Sequence, residues 1–257
     1  MKKVIAFVGS AHKKNTYQAV VQFMKNLQAL GDVEYEIVTL SNYKLGSCRG
    51  CRRCFEEGMQ FCPLKDDRDV LMDKIEASDG VVFATPNYCY QLSGIMKTFI
   101  DRFGFAIHRP CYFGKAFTSI VTQANAGGTK IVEYLDFVAF SLGFNTVKGS
   151  CVTAFDPRTE QDQQKIDRSL AEHSKRFYAS LAKPAYPAPT LFKLMYFRIG
   201  RTMINHRLDD RSIDYRYYAE KGWFSSDYFY PTRLGPLKRL AGFLFDTLTP
   251  TLIKMYA

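Results

Sequence analysis

Short apolar runs alternate with longer amphipathic stretches through the first 180 residues. Val4–Val8 is a continuous apolar run that ends in Gly9-Ser10, and Thr16–Leu30 then spaces Val20, Val21, Met24, Leu27 and Leu30 as one face of a helix. Glu34–Leu40 alternates like a strand, Val70–Ala77 reads as a short helix, and Gly80–Ala84 is a second apolar run that Pro86 is expected to stop. Ile95–Phe103 has helical spacing, Ala116–Val121 that of a strand, Ile131–Leu142 that of an amphipathic helix, and Phe144–Cys151 that of a fifth strand. Strands apolar on both faces, separated by helices, imply a parallel sheet covered on both sides. The pattern predicts an α/β fold, a doubly wound five-stranded parallel sheet whose ligands sit at the carboxyl ends of the strands. Gln161–Leu181 closes this part as a helix.

The rhythm then changes. Pro184, Pro187 and Pro189 make a stiff linker, and beyond them Thr190–Leu208 and Leu237–Tyr256 read as basic, aromatic-rich helices around a Tyr- and Asp-rich segment. Residues 1–183 are therefore expected to form the α/β domain and residues 184–257 a helical, aromatic-rich C-terminal extension. In the first of these helices Leu191, Leu194, Met195, Phe197 and Ile199 stand beside Lys193, Arg198 and Arg201. In the second, Leu240, Phe243, Leu244, Leu248 and Ile253 stand beside Lys238, Arg239 and Lys254. Such helices either pack on the core or a second subunit, or lie on an anionic membrane surface. Gly222-Trp223-Phe224 and Tyr228-Phe229-Tyr230-Pro231 form an aromatic knot that would anchor the segment or shield a ligand.

Composition narrows the setting. With 47% hydrophobic residues the chain can bury a full core. Val4–Val8 is shorter than the roughly 7–15 residues of a secretory apolar region, and no stretch reaches the ~18 apolar residues of a membrane span. A cytoplasmic location is expected. The formal net charge of +10 favours anionic partners without choosing among them. No motif supports nucleic acid, so no nucleic-acid partner is expected. The four histidines show no metal-ligand spacing.

Three loops carry candidate chemistry, each after a strand. Gly9–Thr16 leads from a buried strand into a helix and presents free backbone N–H groups, a setting suited to a phosphate. Ser10, Asn15 and Thr16 add side-chain hydrogen-bonding groups, Lys13 or Lys14 adds charge, and His12 stands among them. An ordinary turn with Asn15 or Thr16 as helix cap fits the same residues, and neither a dinucleotide-binding nor a P-loop glycine pattern is present. The second loop sets Pro86, Asn87, Tyr88 and Cys89 at a strand end, where amides beside an aromatic ring suit a flat heterocycle. The third, Thr122–Thr129, holds Thr122, Ala124 and the pair Gly127-Gly128, which allows close backbone approach to a ligand or simply a turn.

Gly9-Ser10…Asn15-Thr16, Cys48-x-Gly50-Cys51-x-x-Cys54 and Thr85-Pro86-x-Tyr88…Ser93-Gly94-x-Met96-Lys97-x-Phe99-Ile100-Asp101-Arg102 together resemble the NAD(P)H-dependent FMN reductase family, with its flavodoxin-like fold. Within it the sequence is most similar to the iron–sulfur flavoproteins and their cluster-free relatives, over roughly residues 1–180. The resemblance implies FMN held without covalent attachment. Ser10, Asn15 and Thr16 would take its phosphate, Pro86 through Tyr88 its ring system, and the Thr122–Gly128 loop the far edge of the ring. It also implies a homodimer or dimer of dimers, and structural or interface contacts for Asp101 and Arg102.

Cys48, Cys51, Cys54 and Cys62 form C-x2-C-x2-C-x7-C, a spacing at which four thiolates can close on one metal centre. A [4Fe–4S] cluster, a structural zinc ion and a redox-active dithiol all remain open on these residues. Cys151 reads as a small buried hydrophobe. The leading expectation is an FMN-dependent NAD(P)H oxidoreductase that passes electrons to a quinone, an aromatic or a protein, with the chemistry carried by the flavin and no catalytic side chain required. An iron–sulfur electron carrier with ferredoxin-like partners is the alternative, and a flavin-free, membrane-associated binding module is a third reading.

Overall fold

The computed structural model describes residues 1–255, with side chains described through Thr251. Tyr256, the expected end of the last helix, and the side chains of Ile253 and Lys254 lie outside the described residues. The chain divides into two compact units. One comprises Met1–Gly50 and Leu64–Ala185, the other Cys51–Pro63 and the chain from Tyr186 onward.

In the first unit β1 (Lys2–Val8), β2 (Val33–Thr39), β3 (Gly80–Tyr88) and β5 (Ala116–Gln123) lie parallel in the order β2-β1-β3-β5. β6 (Asn145–Thr146) and β7 (Ser150–Thr153) both pair with β5 along the same edge, so the expected fifth strand is present in two pieces. Between them Val147 N–H still donates to Phe117 O, and Gly149 comes so close to Ser119 that a Cβ would stand 2.6 Å from its carbonyl oxygen. Counting the split strand once gives the order 2-1-3-4-5, the flavodoxin-like winding.

Pro86 does not end β3, contrary to the expectation from sequence. The strand continues to Tyr88 in register with β5, Pro86 opposite Thr122, and turns back through β4 (Gln91–Leu92). β1 has already departed at this point. The bond from Gly9 N–H to Ala84 O closes that side, so the N–H that proline lacks would have faced no strand.

Alternation along the strands sorts two cores. Val4, Ala6, Val8, Val82, Ala84 and Ile120 meet Phe23, Met24 and Leu27 of α1 (Asn15–Leu30) and Leu170 and Phe177 of α7 (Glu160–Leu181). The opposite face carries Phe7, Phe83, Phe117 and Phe144, with Phe99 of α4 (Gly94–Asp101) stacked 4.9 Å from Phe7 and Phe83 edge-on to Phe117 at 5.0 Å. Both faces are therefore covered, and the strand ends are left for ligands. α3 (Arg68–Glu76), α5 (Gly104–His108) and α6 (Gly128–Ser141) complete this unit.

The second unit contains the single turn α2 (Arg53–Glu56), α8 (Leu191–Arg207), α9 (Ile213–Glu220) and α10 (Pro236–Met255). α8 is capped by Thr190, whose hydroxyl accepts the Lys193 N–H. Arg198 and Arg201, the basic residues of this helix named from sequence, are buried, and both donate to Asp246 of α10 at 2.7 Å. The aromatic knot is this unit's core. Trp223 packs edge-on to Phe197, Tyr218 and Phe229, and its indole N–H donates to Phe229 O. α10 leaves Leu237, Leu240, Phe243, Leu244 and Leu248 exposed. Among the described residues no helix is long and apolar enough to cross a membrane.

Candidate functional site

The loop after β1 is fixed from below. Ser93 Oγ donates to Gly9 O at 2.5 Å, accepts the Met96 N–H that starts α4, and Ser93 N–H donates to Thr85 Oγ1. A Cβ on Gly9 would stand 2.7 Å from Met96 Cβ, so only glycine lets the loop pass this close. Ser93 and Met96 of the long sequence motif therefore act from beneath, holding the first loop against the third strand.

Above them lies a cavity of about 200 Å³ at the carboxyl ends of β1, β3 and β5. Ser10, His12, Lys14, Asn15 and Thr16 line it from the first loop, Pro86 and Tyr88 from the second, Thr122, Gln123 and Ala124 from the third, and Ala154 from the turn after β7. Thr16 Oγ1 and Thr122 Oγ1 share a buried hydrogen bond of 2.6 Å, which joins the first turn of α1 to the end of β5. α1 starts at this cavity without a side-chain cap and with no acidic residue in its first turn. Its unpaired N–H groups and the positive end of its dipole are thus available to an anion.

Eight of the thirteen residues expected at a cofactor line the cavity: Ser10, His12, Asn15, Thr16, Pro86, Tyr88, Thr122 and Ala124. Ser10 Oγ donates to His12 O and orders the loop. The Asn15 side chain faces inward, its Nδ2 donating to Ala154 O and Asp156 Oδ2. The other five lie in the same three loops without lining the cavity. Lys13 lies over the Tyr17 ring at 5.1 Å, while Lys14 lines the cavity. Asn87 Nδ2 donates to Ala126 O and ties the second loop to the third. Cys89 and Tyr90 are the two residues of a tight hairpin turn with φ of 50° and 63°, and both are exposed. Gly127, at φ 92°, leaves room for the Tyr90 ring, 2.8 Å from where a Cβ would be. Gly128 leaves room for Cys151 Sγ, 2.4 Å from its own, and donates its N–H to Gln123 Oε1. Burial pushes the Cys151 thiol up to about 11, so it stays protonated at neutral pH.

Lys14 is named from sequence only as the alternative to Lys13, and Gln123 and Ala154 are not singled out there. Lys14 and Gln123 sit in loops that are, and their neighbours have the more suggestive side chains. Ala154 carries no chemical signal, and only the fold brings it there.

Asp66 and Arg102 form a buried ion pair, Nη1 to Oδ2 at 2.5 Å, with side chains 7% and 2% exposed. Both also bind Gly46, Asp66 Oδ2 through its N–H and Arg102 Nη1 through its carbonyl. Burial alone would raise the Asp66 carboxyl. The Arg102 hydrogen bond, the backbone N–H groups of Gly46 and Arg68, and the Arg102 charge outweigh it and hold the group below its usual range. The expected structural role of Arg102 is thus visible, at the base of the segment leading to the cysteines.

Cys48 belongs to the first unit, and Cys51, Cys54 and Cys62 to the second. Cys48 and Cys51 are exposed, Cys54 and Cys62 half-buried. Among the described residues no three His, Cys, Asp or Glu side chains come together as a metal site.

Relatives share this frame. An iron-sulfur flavoprotein of Archaeoglobus fulgidus is 33% identical over 158 residues, spanning 57% of this chain and 70% of the relative. An iron-sulfur flavoprotein of Clostridioides difficile is 28% identical over 201 residues, 76% and 86% of the two chains. Among solved structures, RosB with bound 8-demethyl-8-formylriboflavin-5'-phosphate superposes with a TM-score of 0.54 over 92% of each chain at 12% identity, a likeness of fold. The family model described as NADPH-dependent FMN reductase matches residues 2–156, the stretch that carries all three loops and every strand of the sheet. The chain belongs to the NADPH-dependent FMN reductase family.

Proposed function

We propose that this chain binds FMN in the cavity between the three strand-end loops and works as an FMN-dependent NAD(P)H oxidoreductase. The observation that carries the reading is the uncapped start of α1, opening into that cavity in a chain of this family. Ser10, Lys14 and the first N–H groups of α1 would hold the phosphate. Pro86–Tyr88 and Thr122–Ala124 would border the ring system, with Asn87, Cys89, Gly127 and Gly128 shaping its rim. Bound FMN would supply the redox chemistry between NAD(P)H and a quinone, an aromatic or a protein acceptor. The chain's own residues bind, orient and exclude water. At about 200 Å³ the cavity is smaller than the roughly 300–1,000 Å³ of a full ligand site. This suits the expectation that a second copy, in a dimer or dimer of dimers, helps enclose the ring. Peripheral membrane contact through α8 and α10 belongs to the same proposal, as does a cytoplasmic location.

The test is NAD(P)H oxidation with an artificial acceptor. Activity lost on stripping the flavin and regained with FMN supports the reading, and a chain that binds no flavin overturns it. The names of the relatives and the spacing Cys48-Cys51-Cys54-Cys62 favour a second reading, an electron carrier with an iron–sulfur cluster and ferredoxin-like partners. Anaerobically purified protein with iron and acid-labile sulfide, reduced fast by ferredoxin and slowly by NAD(P)H, would support it.

A further inference from the structure

Arg158 lies two residues past the family match, on the turn into α7. Its guanidinium is a fork between two amides, Nη2 donating to Asn15 Oδ1 at 2.8 Å and Nη1 to Gln163 Oε1 at 2.7 Å. Gln163 is held in turn by donating to Asp167 Oδ1. The side chain is 18% exposed and Asp156 Oδ1 stands 3.8 Å away. Asn15 is the first residue of α1. Both protons of its amide are already given, to Ala154 O and Asp156 Oδ2, and its oxygen takes the Arg158 proton. Its side chain therefore has no proton left for a ligand. It fixes the start of α1 against the segment after β7.

That segment places a carboxylate, Asp156, 3.1 Å from Asn15 Nδ2, beside the helix end meant to receive an anion. The Asp156 side chain is 68% exposed, so solvent screens part of its charge; the remainder would work against a phosphate, and Arg158 is a cation next to it. We propose that Arg158 is a positioning residue for the anionic end of the flavin: it locks Asn15 and offsets Asp156, so that the start of α1 favours FMN over riboflavin. The inference rests on the FMN reading above and deepens it.

The experiment titrates flavin-free protein with FMN and with riboflavin, following flavin fluorescence. Arg158→Met is expected to weaken FMN on the order of tenfold, the scale of a charge-assisted hydrogen bond, and to leave riboflavin within about twofold. Adding Asp156→Asn to that variant should recover most of the loss. Asp156→Asn alone keeps Arg158 and an acceptor for Asn15, so it tests the charge even if Arg158→Met folds poorly, and it should tighten FMN and not riboflavin. Equal weakening of both flavins in Arg158→Met, or FMN affinity unmoved by either single change, would overturn the assignment. A wild-type chain that binds riboflavin and FMN equally would overturn it while leaving flavin binding intact, whereas one that binds neither removes the underlying reading as well.

Discussion

Replacing Arg102 by Met should cost the first unit about 3 kcal/mol at pH 7. The Arg102 side chain is 2% exposed and its partner Asp66 7%, so the substitution leaves a carboxylate where water cannot reach it. Breaking a buried pair from one side costs roughly 3–5 kcal/mol. The lower end applies because Asp66 keeps the N–H groups of Gly46 at 2.9 Å and Arg68 at 3.3 Å. In a urea titration followed by far-UV circular dichroism, with a slope of roughly 2 kcal/mol/M, the midpoint should fall by about 1.5 M. The pH dependence gives a second reading. In the wild type the Asp66 carboxyl is held low, so its stabilisation is full above the ordinary carboxylate range and is lost only as pH falls through the depressed value. In Arg102→Met only the Gly46 and Arg68 N–H groups still oppose burial, so the same group titrates higher than in the wild type and protonation relieves part of the cost as pH falls. The gap between the proteins should therefore narrow from pH 7 towards pH 4.5. A difference under about 1 kcal/mol at pH 7, or one that widens in acid, would refute the reasoning.

Lys14→Glu reverses a charge on the cavity wall; it should weaken FMN by at least about tenfold and riboflavin far less, read by flavin fluorescence. Asp246→Ala removes the shared acceptor of Arg198 and Arg201 and should cost the second unit about 3 kcal/mol. The chain's one tryptophan, Trp223, lies in that unit's core, so the loss should appear as a red shift of emission at lower urea. His173 is fully buried, its Nε2 paired with Thr118 Oγ1, which in turn donates to Val147 O. Burial, reinforced by Arg176, pushes the ring down to about 3. The unfolded chain takes up this proton below about 6.5 and the folded chain does not, so stability should fall by up to about 1.4 kcal/mol per pH unit between those values. His173→Gln should flatten that limb, and an unchanged slope would count against it.

The sheet was legible because its strands are apolar on both faces and bounded by glycine, proline or polar loops. Val4–Val8 and Ala116–Val121 had no competing period. Pro86 misled because its effect depends on which neighbour faces its nitrogen, and that is set by where β1 leaves the sheet. The fifth strand was legible as a run, Phe144–Cys151, while its break at Val147–Gly149 depends on the approach of Gly149 to Ser119. At the site, Thr16, Tyr88 and Thr122 could be found because strand-end loops converge in any doubly wound sheet. Asn15 was found, but its direction was not, since that depends on Ala154, Asp156 and Arg158, more than 130 residues later. The basic character of α8 is plain in its sequence, whereas the burial of Arg198 and Arg201 depends on Asp246, some 45 residues later, coming to meet them.

The second unit is assembled from two stretches far apart in the chain, Cys51–Pro63 and the part that begins at Tyr186. α2 packs beside α9 within it. During synthesis the cysteine stretch leaves the ribosome early, while the helices it joins are made last. For all that interval Cys51, Cys54 and Cys62 travel without their final neighbours, open to whatever metal, thiol or oxidant the surroundings offer. The order of the letters thus gives these thiols a history before α9 comes to lie beside α2, and the redox state in which the chain is made acts on them first.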